Sequence, residues 1–581
     1  MKGIFAYLSP YKLRIALGLF FKAAGTVAEL ALPLIMSYMI DDVAPAGNAL
    51  ALGLWGGVML LAAVVALLGN VRANRMASKV ARDATERIRA DLFCKTLSLS
   101  ARQADGVTLP SLVSRLSSDT YNVHNMIGMM QRMGVRAPIL LVGGVALTFI
   151  VDPVMALALL ITVPVLTVIV ILVTRRGIRL YTRLQRSSDG MVRKVRDDYS
   201  GIRVIKALSK EEYESAGFAR VNERMVKDET RAGITMDITN PLMSAVLNLG
   251  MAAVVFIGAY RVAGGNSMPG DIIAFTSYFT IILNAVLAVS RIFVMLTRGG
   301  ASAKRISEIL DMPEELKPLP APAGESAEEE AISDEVIAFE HVTFSYGGAP
   351  ALRDVNFVLR RGESLGVIGA TGSGKSTLVS LLMRFYDADE GQVRVFGKDV
   401  RRYSPEELKS KFGAVFQSDF LMAASVRENI DFERGLSDED IRQAARYACA
   451  DKFIEEHDGY EGMLTRGGAN YSGGQKQRLL IARALAGKPD ILVLDDSSSA
   501  LDYRTDAAIR KTLLENLKDT AIVMIAQRIS SVRFADKILV LEEGRAAGCG
   551  TDAELMRGCE EYRRIYASQH GEEGGGYACD K

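Results

Sequence analysis

The 581-residue chain is 49% hydrophobic and 24% charged, with 69 basic against 68 acidic residues. Length allows two to four domains, and the apolar excess with an ordinary share of charge points to one membrane half and one soluble half whose charges average to +1. Five cysteines (Cys94, Cys449, Cys549, Cys559, Cys579) form no CxxC pair and four histidines (His124, His341, His457, His570) do not cluster, which speaks against a disulfide framework or a zinc site.

The N-terminus MKGIFAYLSPYKLR has no small-residue cleavage site near the first apolar run, so a retained membrane helix is expected. Apolar stretches able to cross about 30 Å of hydrocarbon recur near 14–40, 50–71, 134–151, 154–174, 240–262 and 271–296. Asp152 and Pro153 make a tight turn between the third and fourth. The segments 72–136 and 175–231 are rich in Arg and Lys, whereas 41–49 and 152–153 have none and 261–270 has only Arg261. Positive residues stay inside, so both termini and both long loops are expected in the cytoplasm of a multi-pass plasma-membrane protein.

Residues 72–100 and 175–230 interleave charged and apolar residues at helical spacing without proline breaks, which predicts membrane helices that continue well beyond the bilayer. Each loop is interrupted once, at 105–120 and at 199–214, where a short transverse segment or an ordinary hairpin fits. A Pro-, Ala- and Glu-rich linker is expected at 311–335, a soluble domain at 336–568 after a membrane domain at 1–310, and a disordered polar tail at 569–581.

In the soluble half, SLGVIGATGSGKST (364–377) is a short apolar strand, a G-x-x-x-x-G-K-S loop and a helix start. Gly369, Gly372 and Gly374, with Thr371 and Ser373 between them, let backbone N–H groups wrap a phosphate chain. Lys375 reaches the β- and γ-phosphates, Ser376 ligates Mg2+, and Thr377 opens the helix. Asp495 ends the apolar run ILVLD and supplies the magnesium-side carboxylate. Between them, NYSGGQKQRLLIARAL (470–485) places Ser472, Gly473, Gly474 and Gln475 at a helix N-terminus. A second anion-binding device implies a γ-phosphate held between two subunits, although local chemistry alone also allows an ordinary Gly-containing helix start.

Six spans, a linker, then GATGSGKST, YSGGQ, ILVLDD and SALD in that order resemble an ABC transporter half of the exporter-type (type IV) fold, over nearly the whole chain. The resemblance implies six transmembrane helices with long cytoplasmic extensions followed by an α/β P-loop nucleotide-binding domain. It also implies ATP and Mg2+ as ligands, adenine stacking by Tyr346, a magnesium contact and sensing role for Gln417, a D-loop closed by Asp502, and coupling helices at the two interruptions. The second coupling helix is expected to reach the partner's nucleotide domain.

Two positions depart from the family pattern. Asp496 stands where the general base is usually Glu, and its carboxylate falls back by about 1.5 Å for one missing methylene. Gln527, in VMIAQR, stands where a switch His is usual and carries no positive charge. The pattern is similar to the degenerate-site member of a heterodimeric exporter: a catalytically weakened site of its own (Asp496, Gln527, Gln417) and an intact signature, with Tyr471 in place of the usual Leu, serving the partner's. The implied partners are a second half-transporter, with a homodimer less favoured, the lipid bilayer and a small amphiphile of drug-like or lipid-like kind; six spans exclude a nucleic-acid-handling ATPase of the same nucleotide fold. A siderophore-type importer and a nucleotide-gated channel or regulator are the alternative functions. Lys22 and Glu29, one heptad apart in the first span, fit either a structural pair or a cavity contact for a cationic amphiphile. Met126, Met129, Met130 and Met133 fit helix packing or an adaptable apolar wall.

Overall fold

The computed structural model describes residues 2–319 and 334–570, so most of the expected linker and tail lies outside the described residues. The chain divides into two compact units, Met1–Leu97 with Thr108–Met312, and Ser98–Val107 with Pro313–Lys581.

The first unit is helical. Its long helices are α1 (Lys12–Tyr38), α2 (Ala49–Leu97), α4 (Thr120–Met133), α5 (Arg136–Val151), α6 (Pro153–Ser200), α8 (Glu211–Asp237), α9 (Thr239–Ala263) and α10 (Pro269–Leu310), and α7 (Ile202–Ala207) is short; α3 (Ala101–Val107) belongs to the second unit. Among the described residues, six helical stretches are long and apolar enough to cross a membrane. At 49 and 48 residues, α2 and α6 run on the order of 70 Å, more than twice the hydrocarbon thickness.

Small residues and buried polar pairs hold the spans together, as expected where lipid removes the hydrophobic drive between helices. A Cβ on Gly69 would lie 2.9 Å from the Phe21 carbonyl oxygen, so the α1 and α2 backbones approach closely there. One turn away, buried Lys22 donates to Asn70 (2.8 Å) and Asn74 (3.1 Å). Glu29 instead accepts from Arg136 at 2.7 Å. The two charges of α1 therefore have separate structural partners. Met126 is buried against Gly299, where an added Cβ would meet its Cβ at 2.5 Å, which is helix packing. Asp152 caps α6 by accepting from the N–H groups of Val154 and Met155, and binds Arg261 at 2.7 Å. The one basic residue of the fifth connection is thereby neutralised.

The first interruption begins earlier than expected. The first helix is Ala101–Val107, ahead of most of 105–120, because Thr108 at φ 65° breaks the helical path before Leu109. It clusters with the soluble unit: the Tyr386 hydroxyl donates to Asp105 at 2.5 Å and Ser100 to Glu315 at 2.6 Å. Burial and the Asp105 carboxylate both push the Tyr386 phenol up, so this bond persists as O–H to carboxylate. The second is α7, inside 199–214.

The soluble unit carries two sheets. Strands β1 (Glu335–Phe344), β2 (Leu352–Arg360), β4 (Glu390–Val395) and β5 (Lys398–Asp399) form an antiparallel sheet in the order β2-β1-β4-β5. Strands β3 (Ser364–Gly369), β6 (Phe412–Val415), β7 (Ile491–Asp495), β8 (Ala521–Ile525), β9 (Lys537–Glu542) and β10 (Arg545–Gly550) form the second, in the order β10-β9-β3-β8-β7-β6 and parallel from β9 to β6. Every residue of β3, β7 and β8 is buried, the reason these strands read as unbroken apolar runs rather than alternations. The last helix, Glu560–His570, passes through the boundary expected at 568, so Gln569 is helical rather than part of a disordered tail.

Candidate functional site

Parallel strands present their C-terminal ends together, and here four of them converge. The P-loop follows β3, Gln417 follows β6, Asp495 and Asp496 end β7, and Gln527 follows β8. With Tyr346, just past β1, they line a cavity of about 300 Å³ together with Thr371, Gly372, Gly374, Lys375, Ser376 and Thr377. Gly369 and Ser373 lie in the same loop behind that wall.

The loop owes its path to glycine. Gly372 and Gly374 have φ 85° and 102°, and a Cβ on Gly374 would lie 2.7 Å from the Ala351 carbonyl oxygen. The helix that follows, Lys375–Leu382, directs its N-terminal N–H groups and positive dipole end at the cavity. Lys375 Nζ donates to the carbonyls of Gly369 (2.7 Å) and Ala370 (2.8 Å), so the ammonium is curled over the loop. Burial draws its pKa down, against the pull of Asp495 and Asp496. Ser373 Oγ is buried with no partner among the described residues, a spare donor in the phosphate cradle.

Asp495 is buried, and burial pushes its carboxyl up, with Asp496 adding to the push while the Ser376 hydroxyl and Lys375 oppose it. A desolvated carboxylate beside a second one, already bonded to Ser376, suits a hard divalent cation. Ser376, Asp495 and the Gln417 amide oxygen fit Mg2+. When bound, that ion neutralises charge on the β- and γ-phosphate oxygens.

The two departures meet in space. Gln527 Nε2 donates to Asp496 Oδ2 at 3.1 Å, and Gln417 Nε2 approaches the same oxygen at 3.5 Å. Asp496 has φ 49°, which turns its side chain off the strand into the cavity. None of the described histidines lines this cavity. Tyr346 is half exposed, set edge-on against Phe344 and Tyr386 with ring centroids 4.8 and 5.1 Å away. Its hydroxyl is 3.4 Å from Thr377 Oγ1, leaving one ring face for a base.

The signature residues stand elsewhere. Ser472 caps the helix Gly473–Ala486: its hydroxyl accepts from the Gln475 N–H, and Gln475 Oε1 accepts from the Ser472 N–H at 2.8 Å. Such a box stabilises a helix start by about 1 kcal/mol. Ser472 and Gly473 are exposed, and none of Ser472, Gly473, Gly474 and Gln475 lines the P-loop cavity. Tyr471 is buried beside Phe453 and stacked on His457 at 5.5 Å, so the aromatic anchors the helix without blocking its N–H groups.

Two residues were given no role from the sequence. Gln477 accepts from the Ala500 N–H (3.0 Å) and donates to Ser499 Oγ (3.2 Å), fastening the signature helix to the loop that Asp502 ends. Asp502 itself caps the next helix, accepting from Thr505. Gln569 accepts from the Ile529 N–H (2.8 Å) and donates to the Gln527 carbonyl (2.7 Å), gripping the switch loop by its backbone. Gln477 stands inside the quoted motif as one polar residue among several, and for Gln569 there is no signal.

Known proteins agree with this architecture. Residues 15–286 match the model of the ABC transporter transmembrane region, and 352–499 that of the ABC transporter family. An uncharacterized ABC transporter ATP-binding protein of Mycobacterium bovis is 33% identical over 569 residues, covering 97% of each chain. The chain is an ABC transporter. A Bacillus subtilis relative, likewise an uncharacterized ABC transporter ATP-binding protein, is 32% identical over 581 residues and 99% of each chain. A fatty acid ABC transporter ATP-binding/permease protein of Mycobacterium bovis is 32% identical over 473 residues, 81% of this transporter and 74% of the relative. The transporter also has the fold of a bacterial Atm1-family ABC exporter solved with ATP bound, at a TM-score of 0.80, 23% identity and coverage of 97% and 99%.

Proposed function

We propose that the transporter is one half of an ATP-driven exporter of amphiphilic, lipid-like or drug-like molecules. Its own P-loop site hydrolyses slowly, while its signature completes the active site of a different half. The observation that carries this is the Gln527–Asp496 contact. Hydrolysis needs a base that touches the attacking water and a group that answers charge on the γ-phosphate. Here the base is shortened, and its oxygen is engaged by a neutral amide that brings no charge. The P-loop still has every group needed to bind: Lys375 and the loop N–H groups for phosphates, Ser376, Asp495 and Gln417 for Mg2+, Tyr346 for the base.

Ser472, Gly473, Gly474 and Gln475 do not line this cavity, which agrees with a role at another subunit's phosphates. The basic extensions of α2 and α6 support a cytoplasmic location for them, for both termini and for the nucleotide domain. The exporter fold and the fatty-acid transporter among the relatives favour outward movement of an amphiphile.

Magnesium-dependent ATP hydrolysis tests this in lipid, comparing the transporter alone with the transporter co-expressed with a neighbouring half-transporter. Little turnover alone, restored by the partner, is expected; robust turnover alone would make Asp496 a sufficient base and the assembly a homodimer. Restoring both groups, Asp496→Glu with Gln527→His, is expected to raise turnover of the transporter alone by at least ~10-fold. Unchanged turnover in that double variant sinks the weakened-site reading.

A further inference from the structure

We propose that the groove between α6 and α10 binds an amphiphile with one long apolar chain and an anionic head, and that this is the cargo class. The inference rests on the export reading above and names the chemistry that reading leaves open. Ile171, Arg175, Ile178, Thr182 and Gln185 recur in steps of four and three along α6, so they share one face. Opposite them, α10 contributes Phe293, Val294, Thr297 and Arg298. The space between is about 780 Å³, within the ~300–1,000 Å³ of small-molecule sites.

Its walls are mainly apolar and its charges have one sign. Arg175, Arg186 and Arg298 line the groove and no carboxylate does. Elsewhere on α6, Arg183 pairs with Asp228 and Lys194 with Asp198, both at 2.8 Å. Arg175, Arg186 and Arg298 have no ion-pair partner among the described residues. Unpaired guanidinium groups beside apolar surface suit a carboxylate or phosphate, which they grip bidentately, and repel a cationic head.

Shape agrees with charge. From Ile171, at the end of the apolar stretch 154–174, to Arg186 is about 22 Å along the helix, so the groove opens at the edge of the hydrocarbon and carries its arginines into the basic extension. A cationic cargo finds no comparable site in α1, where Glu29 is held by Arg136 and Lys22 by two asparagines.

The purified full chain in phosphatidylcholine nanodiscs, loaded with the fluorescent fatty acid cis-parinarate, tests binding without ATP or partner. Oleate and a lysophosphatidate are expected to displace the probe, and oleylamine is not. Arg298→Gln and Arg175→Gln should each weaken oleate by ~10-fold while MgATP binding stays unchanged, and Arg298→Lys should recover part of the loss. Displacement by oleylamine at the same concentration, or variants that bind oleate like the wild type, overturns the site.

Cargo is separated from resident lipid in inside-out vesicles holding the transporter and its partner. ATP-dependent uptake of labelled oleate, reduced in Arg298→Gln, is expected. Oleate binding with active ATP hydrolysis and no uptake overturns the cargo assignment. Export of a cationic amphiphile with no oleate binding overturns this inference and leaves the export reading standing.

Discussion

The nucleotide domain has two faces that handle phosphate, and they differ in kind. Around the P-loop, binding groups are complete but the two groups that act on water and on γ-phosphate charge are a shortened carboxylate and a neutral amide bonded to each other. At the signature, helix cap, glycines and the Gln477 tether to the D-loop are all in place. On the proposed reading, one face keeps binding and loses reactivity while the other keeps what a partner's site requires. The two jobs are then separable within one domain, because each composite site would draw its base and its signature from different chains.

The largest expected effect breaks the signature face. Gly474→Val should abolish turnover of the transporter with its partner, by ~100-fold or more, because even a Cβ there would stand 3.1 Å from the Ala500 carbonyl and lift the helix N-terminus off its phosphate. By contrast, Asp496→Asn should change that turnover by less than about threefold, its carboxylate adding little to the rate. Equal losses in steady-state assays would erase the distinction between the faces.

A smaller effect sharpens it. With Asp496→Glu and Gln527→His in place, Gln569→Ala should lower kcat about fivefold and leave KM for ATP unchanged, since the clamp orients the switch loop and touches no phosphate. Gln569→Glu keeps the acceptor for the Ile529 N–H, loses the donor to Gln527, and should fall between. A change confined to KM would mean the clamp supports binding only.

The smallest is in stability. Burial raises the Asp495 carboxyl, so its ionised form costs folding energy at neutral pH. Asp495→Asn should raise the melting temperature without nucleotide by a few degrees, at about 2–4 °C per kcal/mol, and remove the further rise that MgATP gives the wild type. The gap should close as pH falls through the raised pKa, where the wild-type carboxyl is already neutral.

The sequence by itself determined the six spans, the length of α2 and α6, the P-loop, the magnesium carboxylate and both departures, because each is written in contiguous residues. Apolar length, 3.6-residue periodicity and glycine spacing are local properties that survive without a partner segment. The transverse helix at Ala101–Val107 was misplaced because Thr108, with no glycine to announce it, takes a positive φ that only its surroundings hold. Only the tertiary structure decided that Lys22 and Glu29 serve different partners, that Gln527 reaches Asp496, that Gln569 grips the switch loop and that three unpaired arginines share one groove. Those facts join residues 31 to more than 100 positions apart. They exist only once packing brings strand ends and helix faces together, since polar side chains find buried partners by distance in space and not along the chain.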